Sequence, residues 1–218
     1  MKHLFTAAET MSLCVKKKKV DFNINSLIME ALTAFILCGG KSSRMQSEKG
    51  LVLFQGKPFI EHIIQAILPL TSTIQLITNT KEYDYLPYQK IADIVKDKGP
   101  LGGIYTALTN SETEFNMILS CDIPLISSEL LSELISKHNQ EAQITVFATE
   151  SRIHPLIGIY SKKIVPVIKE AIDTNELKMM DFLSKVPHQI IKIEESENFP
   201  LTNINSVDEL NDLNINLS

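Results

Sequence analysis

From about Met29 onward, short apolar runs alternate with segments whose apolar residues recur at helical spacing, and a polar or glycine-containing turn follows each run. This alternation is the signature of an α/β sheet, because strands and crossover helices must take turns along the chain. Strands are expected at Ala34–Leu37, Ile74–Thr78, Ala92–Val95, Met117–Ser120, Ile144–Ala148, Leu156–Tyr160 and Ile190–Ile193. Helical spacing covers Pro58–Leu68, Leu101–Leu108, Ser128–His138, Lys162–Ile172 and Glu176–Ser184. Ser206-Val207-Asp208-Glu209 has the form of a capping box opening a last helix. In open sheets of this class, ligands gather beyond the carboxyl ends of the strands. The polar motifs of the chain are expected there.

Composition fits one domain. At 218 residues, 44% hydrophobic and 22% charged, the chain can bury a sizeable core. A formal charge of -5 argues against a general nucleic-acid or membrane-surface binder. No apolar stretch reaches membrane-spanning length. Cys14, Cys38 and Cys121 form neither a disulfide framework nor paired zinc spacing, which fits a reducing cytoplasm. Residues 1–28 differ in character from the rest of the chain, with a basic run at Lys16–Lys19 placed after, not before, the apolar stretch. That order is wrong for a secretory signal. Residues 1–28 are expected to be a poorly ordered extension, and residues 29–218 the domain.

The first strand runs into Leu37-Cys38-Gly39-Gly40-Lys41-Ser42-Ser43-Arg44-Met45-Gln46-Ser47-Glu48-Lys49-Gly50. Gly39 and Gly40 let the backbone turn sharply and bring main-chain N–H groups against phosphate oxygens. Arg44 offers a planar fork for phosphate, and Lys49 a mobile point charge. Together they suit a nucleoside triphosphate; the competing reading is an ordinary glycine turn with solvated cations. A Walker loop would need glycine at Phe35, and the dinucleotide fingerprint has no match here.

Asp122 follows the apolar run Met117–Ser120, where a carboxylate suits a hard Mg²⁺ that keeps waters and bridges to phosphates. A turn-capping aspartate is the alternative. Cys38 and Cys121 read as small buried residues. Gly99-Pro100-Leu101-Gly102-Gly103 precedes a helix whose N-terminus could meet phosphate or base, or form a plain turn. Asn79 and Asp93 lie near two strand ends. The Asp93 carboxylate could accept from guanine N1–H and its exocyclic amine, a donor pair adenine does not present.

With these pieces in order, the chain resembles the molybdenum cofactor guanylyltransferases, nucleotidyltransferases that attach GMP to molybdopterin. The resemblance rests on residues 37–50, Gly56-Lys57-Pro58, Asn79, Asp93–Ile104, Ser120–Ile126, His154–Tyr160 and Asn203–Leu210. It implies a Rossmann-like nucleotidyltransferase fold, three-layer α/β/α with a mostly parallel sheet. It implies Mg²⁺ as cofactor, GTP and molybdopterin (or molybdenum cofactor) as substrates, and pyrophosphate as product. A molybdenum-insertion protein or a target-enzyme chaperone is an implied partner; nucleic acid and membrane are not.

By position, Leu37, Cys38 and Gly39 would line the guanine site through the backbone, with Gly40 also at the nucleotide, Lys49 would bind phosphate, and Asn79 and Asp93 would complete nucleotide recognition. Asp122 would contact both metal and GTP, with Arg44 and Lys49 completing the catalytic set. Gly99, Gly103, Asn203 and Asn205 would face the pterin. Cys38, Gln46 and Glu48 depart from the alanine, glycine and aspartate usual in the family. His154 needs no catalytic role. The rivals are cytidylyl transfer to the same pterin, nucleotidyl transfer to a sugar phosphate, and a binding protein without catalysis.

Overall fold

A computed structural model describes residues 32–39, 48–194, 199–206 and 208–211. The extension expected at 1–28, and the loop residues Gly40 and Arg44, lie outside the described residues. The architecture is set by strands that are apolar on consecutive positions. β1 (Thr33–Leu37) is buried along its whole length, as are β6 (Phe115–Ser120) beyond its first residue and β7 (Ile144–Ala148). A strand buried on both sides needs a helical layer on each face.

Seven strands form the sheet in the order β5-β4-β1-β6-β8-β7-β9, with β4 at Ile74–Ile77, β5 at Gln89–Ile91, β8 at Ile153–Ser161 and β9 at His188–Lys192. Pairings β5·β4, β4·β1, β1·β6 and β7·β9 are parallel, and β8 runs antiparallel to β6 and β7. The sheet is therefore mostly parallel, as expected.

Alternate strand residues feed two cores. Ala34, Ile36, Met117 and Leu119 pack under α1 (Phe59–Ile67) and α3 (Ser128–Lys137) through Ile60, Ile63, Ile67, Leu131 and Leu134. Phe35, Leu37 and Ile118 pack under α2 (Gly99–Asn110), α4 (Val165–Asp173) and α5 (Met179–Leu183) through Leu101, Ile104, Ile168, Phe182 and Leu183. Each fully buried Ile, Leu or Phe contributes about 1.5–3 kcal/mol of apolar transfer. Phe59, Ile60, Ile63, Ile64 and Ile67 fall on one stripe of α1 at helical spacing. The α3 helix starts where the Ser127 side chain accepts from Leu130 N–H.

Three elements differ from expectation. The strand placed at Ala92–Val95 lies earlier, at Gln89–Ile91, because the N–H groups that would extend it are taken by side chains. Asp93 N–H donates to Asn79 Oδ1 at 3.0 Å, and Ile94 N–H to Thr106 Oγ1 at 3.0 Å. The helix placed at Glu176–Ser184 starts only at Met179, since Glu176 N–H closes the end of α4 on the Ala171 carbonyl after Asn175 at φ 59°. The β8 strand begins earlier than its apolar run, and Pro155 falls where the β7·β8 register shifts, so its missing donor breaks no ladder bond. A hairpin of β2 (Leu53–Phe54) and β3 (Lys57–Pro58) turns through Gln55 and Gly56, both at positive φ. Strands of two residues carry too little alternation to be seen in sequence. Among the described residues no helix is long and apolar enough to cross a membrane.

Candidate active site

The chain leaves β1 to build β4 and β5 on one side and returns to build β6 on the other, which makes the β1/β6 boundary a topological switch point. Register pairs Leu37 with Ser120 there, and Leu37 with Ile77 on the other flank. Side chains two apart share a face, so Leu37 and Gly39, Ile77 and Asn79, and Ser120 and Asp122 all turn to the α2 side. They line a cleft of about 710 Å³, shared with Lys49, Asp93, Val95, Gly99, Gly103 and Leu156.

At one end of the cleft, Lys49 sits in a 3-10 turn (Lys49–Leu51) and its Nζ lies 3.2 Å from Asp122 Oδ2. The same Nζ donates to Asn205 Oδ1 at 2.6 Å. Asp122 is only 6% exposed, and a buried carboxylate must be hydrogen-bonded. Its Oδ1 accepts from Ser120 Oγ at 2.6 Å and from Asn203 Nδ2 at 2.7 Å. The segment carrying the two asparagines is docked by Ile204, whose N–H donates to the Asp122 carbonyl at 2.8 Å and whose side chain packs with Phe54 and Phe59. The capping box forms as expected at its Ser206 end: Glu209 N–H donates to Ser206 Oγ, and residues 208–211 are helical. The Glu209 carboxylate takes Asn205 N–H at 2.6 Å and fixes the backbone beside Lys49.

Across the cleft, Asn79 Nδ2 donates to Asp93 Oδ2 at 2.7 Å while its Oδ1 holds Asp93 N–H. That leaves Asp93 Oδ1 buried and, among the described residues, without a hydrogen-bond partner. Asp93 Oδ2 stands 4.0 Å from the place a Cβ on Gly39 would take, so Asp93 faces the backbone of the glycine loop. The α2 helix begins here with Gly99 at φ 56°, and it packs closely on β1 through Gly103, where a Cβ would meet Leu37 Cδ2 at 3.3 Å. The N-cap residue Lys98 gives α2 no side-chain cap, and an N-terminus without one has orphan N–H groups that can meet a ligand.

The structure thus gathers Leu37, Gly39, Lys49, Asn79, Asp93, Gly99, Gly103 and Asp122 along one cleft. It does not bring the Cys38 side chain there. Cys38 is buried in the α1-side core, and its N–H is spent on the Ile77 carbonyl at 2.9 Å. Asn203 and Asn205, expected on the pterin side, contact Asp122 and Lys49. Ser120 was not singled out from sequence; the signal for it was its place two residues before Asp122 on the same strand face.

A divalent cation is compatible with this donor set in one way. Among the described residues no three His, Cys, Asp or Glu side chains cluster to form a protein cage. Asp122 Oδ2, a single carboxylate oxygen beside a phosphate-seeking lysine, matches a metal that takes one protein carboxylate, waters and substrate phosphates.

A buried carboxylate and a lysine at the switch point of such a sheet, opposite a polar pair that can hold a base, define a nucleotidyltransferase. The MobA-like NTP transferase domain matches residues 34–190, and the chain belongs to that family. A Flavobacterium johnsoniae protein named probable molybdenum cofactor guanylyltransferase is 81% identical over 190 residues, covering 87% of this chain and 100% of the relative. A Carboxydothermus hydrogenoformans protein of the same name is 37% identical over 167 residues, 77% of this chain and 84% of that one. The fold is shared with the crystal structure of molybdopterin-guanine dinucleotide biosynthesis protein A from Archaeoglobus fulgidus, at TM-score 0.70 and 20% identity over 83% of this chain and 95% of that one.

Proposed function

We propose that the protein transfers GMP from GTP to molybdopterin and releases pyrophosphate. The observation that carries the reading is the separation of two polar groups along one cleft. Lys49 and Asp122 stand at one end, and the Asn79–Asp93 pair stands at the other. Asp93 Oδ1, without a partner among the described residues, suits guanine, which offers two neighbouring donors on its Watson–Crick edge. A base held there directs its phosphates toward Lys49 and Asp122.

The terminal phosphate of molybdopterin attacks the α-phosphorus of GTP in line. A bond forms from the pterin phosphate oxygen to that phosphorus, and the bond to the β-phosphate oxygen breaks. A phosphate monoester is already anionic at neutral pH, so no protein base is required, and positioning with charge stabilisation carries the catalysis. Lys49 leaves Asp122 and Asn205 to follow the triphosphate, and Arg44 supplies a second cation. Asp122 would hold Mg²⁺, which supplies Lewis-acid charge stabilisation on the phosphates when bound. Gly99, where a Cβ would meet nothing within 4 Å, leaves room for the pterin side of the cleft, and Gly103 borders the same cleft. GTP and molybdopterin are the substrates, a molybdenum-insertion protein or target-enzyme chaperone is the partner that exchanges the pterin, and the reaction belongs to the cytoplasm.

Two variants test this reading. Asp122→Ala is expected to lower turnover on the order of 10³-fold, and full activity of that variant would remove Asp122 from the mechanism. Asp93→Asn should raise the KM for GTP about 10- to 100-fold, the worth of hydrogen bonds to a charged acceptor, with less effect on ATP. An unchanged GTP-to-ATP preference would contradict base reading by Asp93.

A further inference from the structure

Asp122 has two oxygens with different surroundings, and the difference originates in β6. A carboxylate rotates easily about its last side-chain bond, whose energy profile is broad and two-fold. Two donors converge on Oδ1 and restrain that rotation. One is Asn203 Nδ2, on the segment that docks through Ile204. The other is the hydroxyl of Ser120, the last residue of β6, registered against Leu37 and 9% exposed. The next residue, Cys121, donates its N–H to the Leu37 carbonyl at 3.2 Å, so the backbone from Ser120 to Asp122 is tied to the central strand. A separation of 2.6 Å is that of a charge-assisted hydroxyl–carboxylate bond. Of the two donors, the hydroxyl is the one mounted on the sheet itself.

We infer that Ser120 is a positioning residue for the reaction: with Asn203 it occupies Asp122 Oδ1, and thereby presents Oδ2 to Lys49 and to a divalent cation in a single orientation. The inference rests on the proposed role of Asp122 as the metal-holding carboxylate. Ser120 acts through Asp122, the group its hydroxyl donates to. Serine carries one hydroxyl proton, and that proton is committed to the carboxylate. Sites held this way are most exact when the supporting donor sits on a rigid element.

The test uses the full chain with Mn²⁺ as a magnetic probe, its binding in the presence of GTP followed by electron paramagnetic resonance beside steady-state turnover. Ser120→Ala should raise the Mn²⁺ concentration for half-saturation by about 10- to 100-fold, the range for loss of a group that orients a metal ligand. Its kcat should fall with little change in KM for GTP. Ser120→Thr, which keeps the hydroxyl, should return both quantities to near the parent values. Thermal melting reports whether each variant folds; if the alanine form does not, Ser120→Cys, a weak donor of similar size, should show the same loss. The inference is overturned if Ser120→Ala matches the parent within about twofold in both readouts, or if Ser120→Thr is as impaired as Ser120→Ala. Failure of the parent itself to bind Mn²⁺ with GTP would instead overturn the role of Asp122, and the Ser120 inference with it.

Discussion

Cys38 and Cys121 come directly after the paired residues Leu37 and Ser120 on adjacent strands, and both are buried in the core beneath the cleft, Cys121 also bordering it. Burial pushes the Cys121 thiol up to about 12, and burial raises Cys38 as well, with the neighbouring cysteine adding to it. Since the thiolate is the reactive form, neither should be alkylated in the folded protein at pH 8, and both should be labelled fully in denaturant. Peptide mass spectrometry after iodoacetamide treatment checks this; rapid native labelling of either would contradict their placement. Much of the site was legible at this scale. Asp122 and Asn79 stood out because polar residues after apolar strands have few places to go but the sheet edge, whereas Asp93 was read within an expected strand that the structure ends at Ile91. Ser120 was hidden because a serine ending a strand is commonplace, and its role depends on a carboxylate two residues away. Asn203 and Asn205 were visible as a motif, but their partners were not, since nothing local to residues 203–206 says that Ile204 docks them onto Asp122.

The turn that carries Lys49 depends on a close approach at its next residue. A Cβ on Gly50 would stand 2.8 Å from Tyr83 Oη and 3.3 Å from Cys121 Cβ, and Tyr83 is fully buried. Gly50→Ala should therefore cost about 1–3 kcal/mol, the usual range for overpacking, measurable by urea denaturation. Because the turn must shift to relieve the contact, Lys49 moves with it, and turnover should fall further than Gly50→Ala lowers stability. Unchanged stability would show that the turn has another way to yield. The same scale explains the misplaced elements. Apolar Ala92, Ile94 and Val95 look like one strand, but side-chain acceptors at Asn79 and Thr106 divert its donors. Such long-range competition leaves no local trace. The reach of α5 was overread for a related reason, because Asn175 ends α4 by a backbone geometry that helical spacing does not encode.

For the whole molecule, apolar periodicity was enough to foresee an α/β sheet with its ligand end, because strands buried on both faces allow few other arrangements. The far edge of that sheet carries a pH response of its own. His138, at the end of α3, lies edge-on to Phe115 with its Nδ1 2.8 Å from Thr145 Oγ1, and burial lowers its pKa from 6.5 to about 4. The unfolded chain therefore binds a proton near pH 6.5 that the folded chain resists until about pH 4. Below the unfolded value the unfolded state holds more protons, so this contribution is complete above pH 6.5 and is lost as pH falls toward 4. The drop in melting temperature between pH 7 and pH 5 should be smaller in His138→Gln than in the parent; equal drops would mean that His138 charges freely in the fold.

The central claim is guanylyl transfer at the cleft between Asp93 and Asp122. Its most direct test is pyrophosphate release by the purified protein with Mg²⁺ and molybdopterin, with GTP, CTP and ATP compared in parallel. Release with GTP and little with the other two is the predicted result. A preference for CTP would contradict Asp93 as a reader of guanine, and silence with all three nucleotides would contradict nucleotidyl transfer to this pterin.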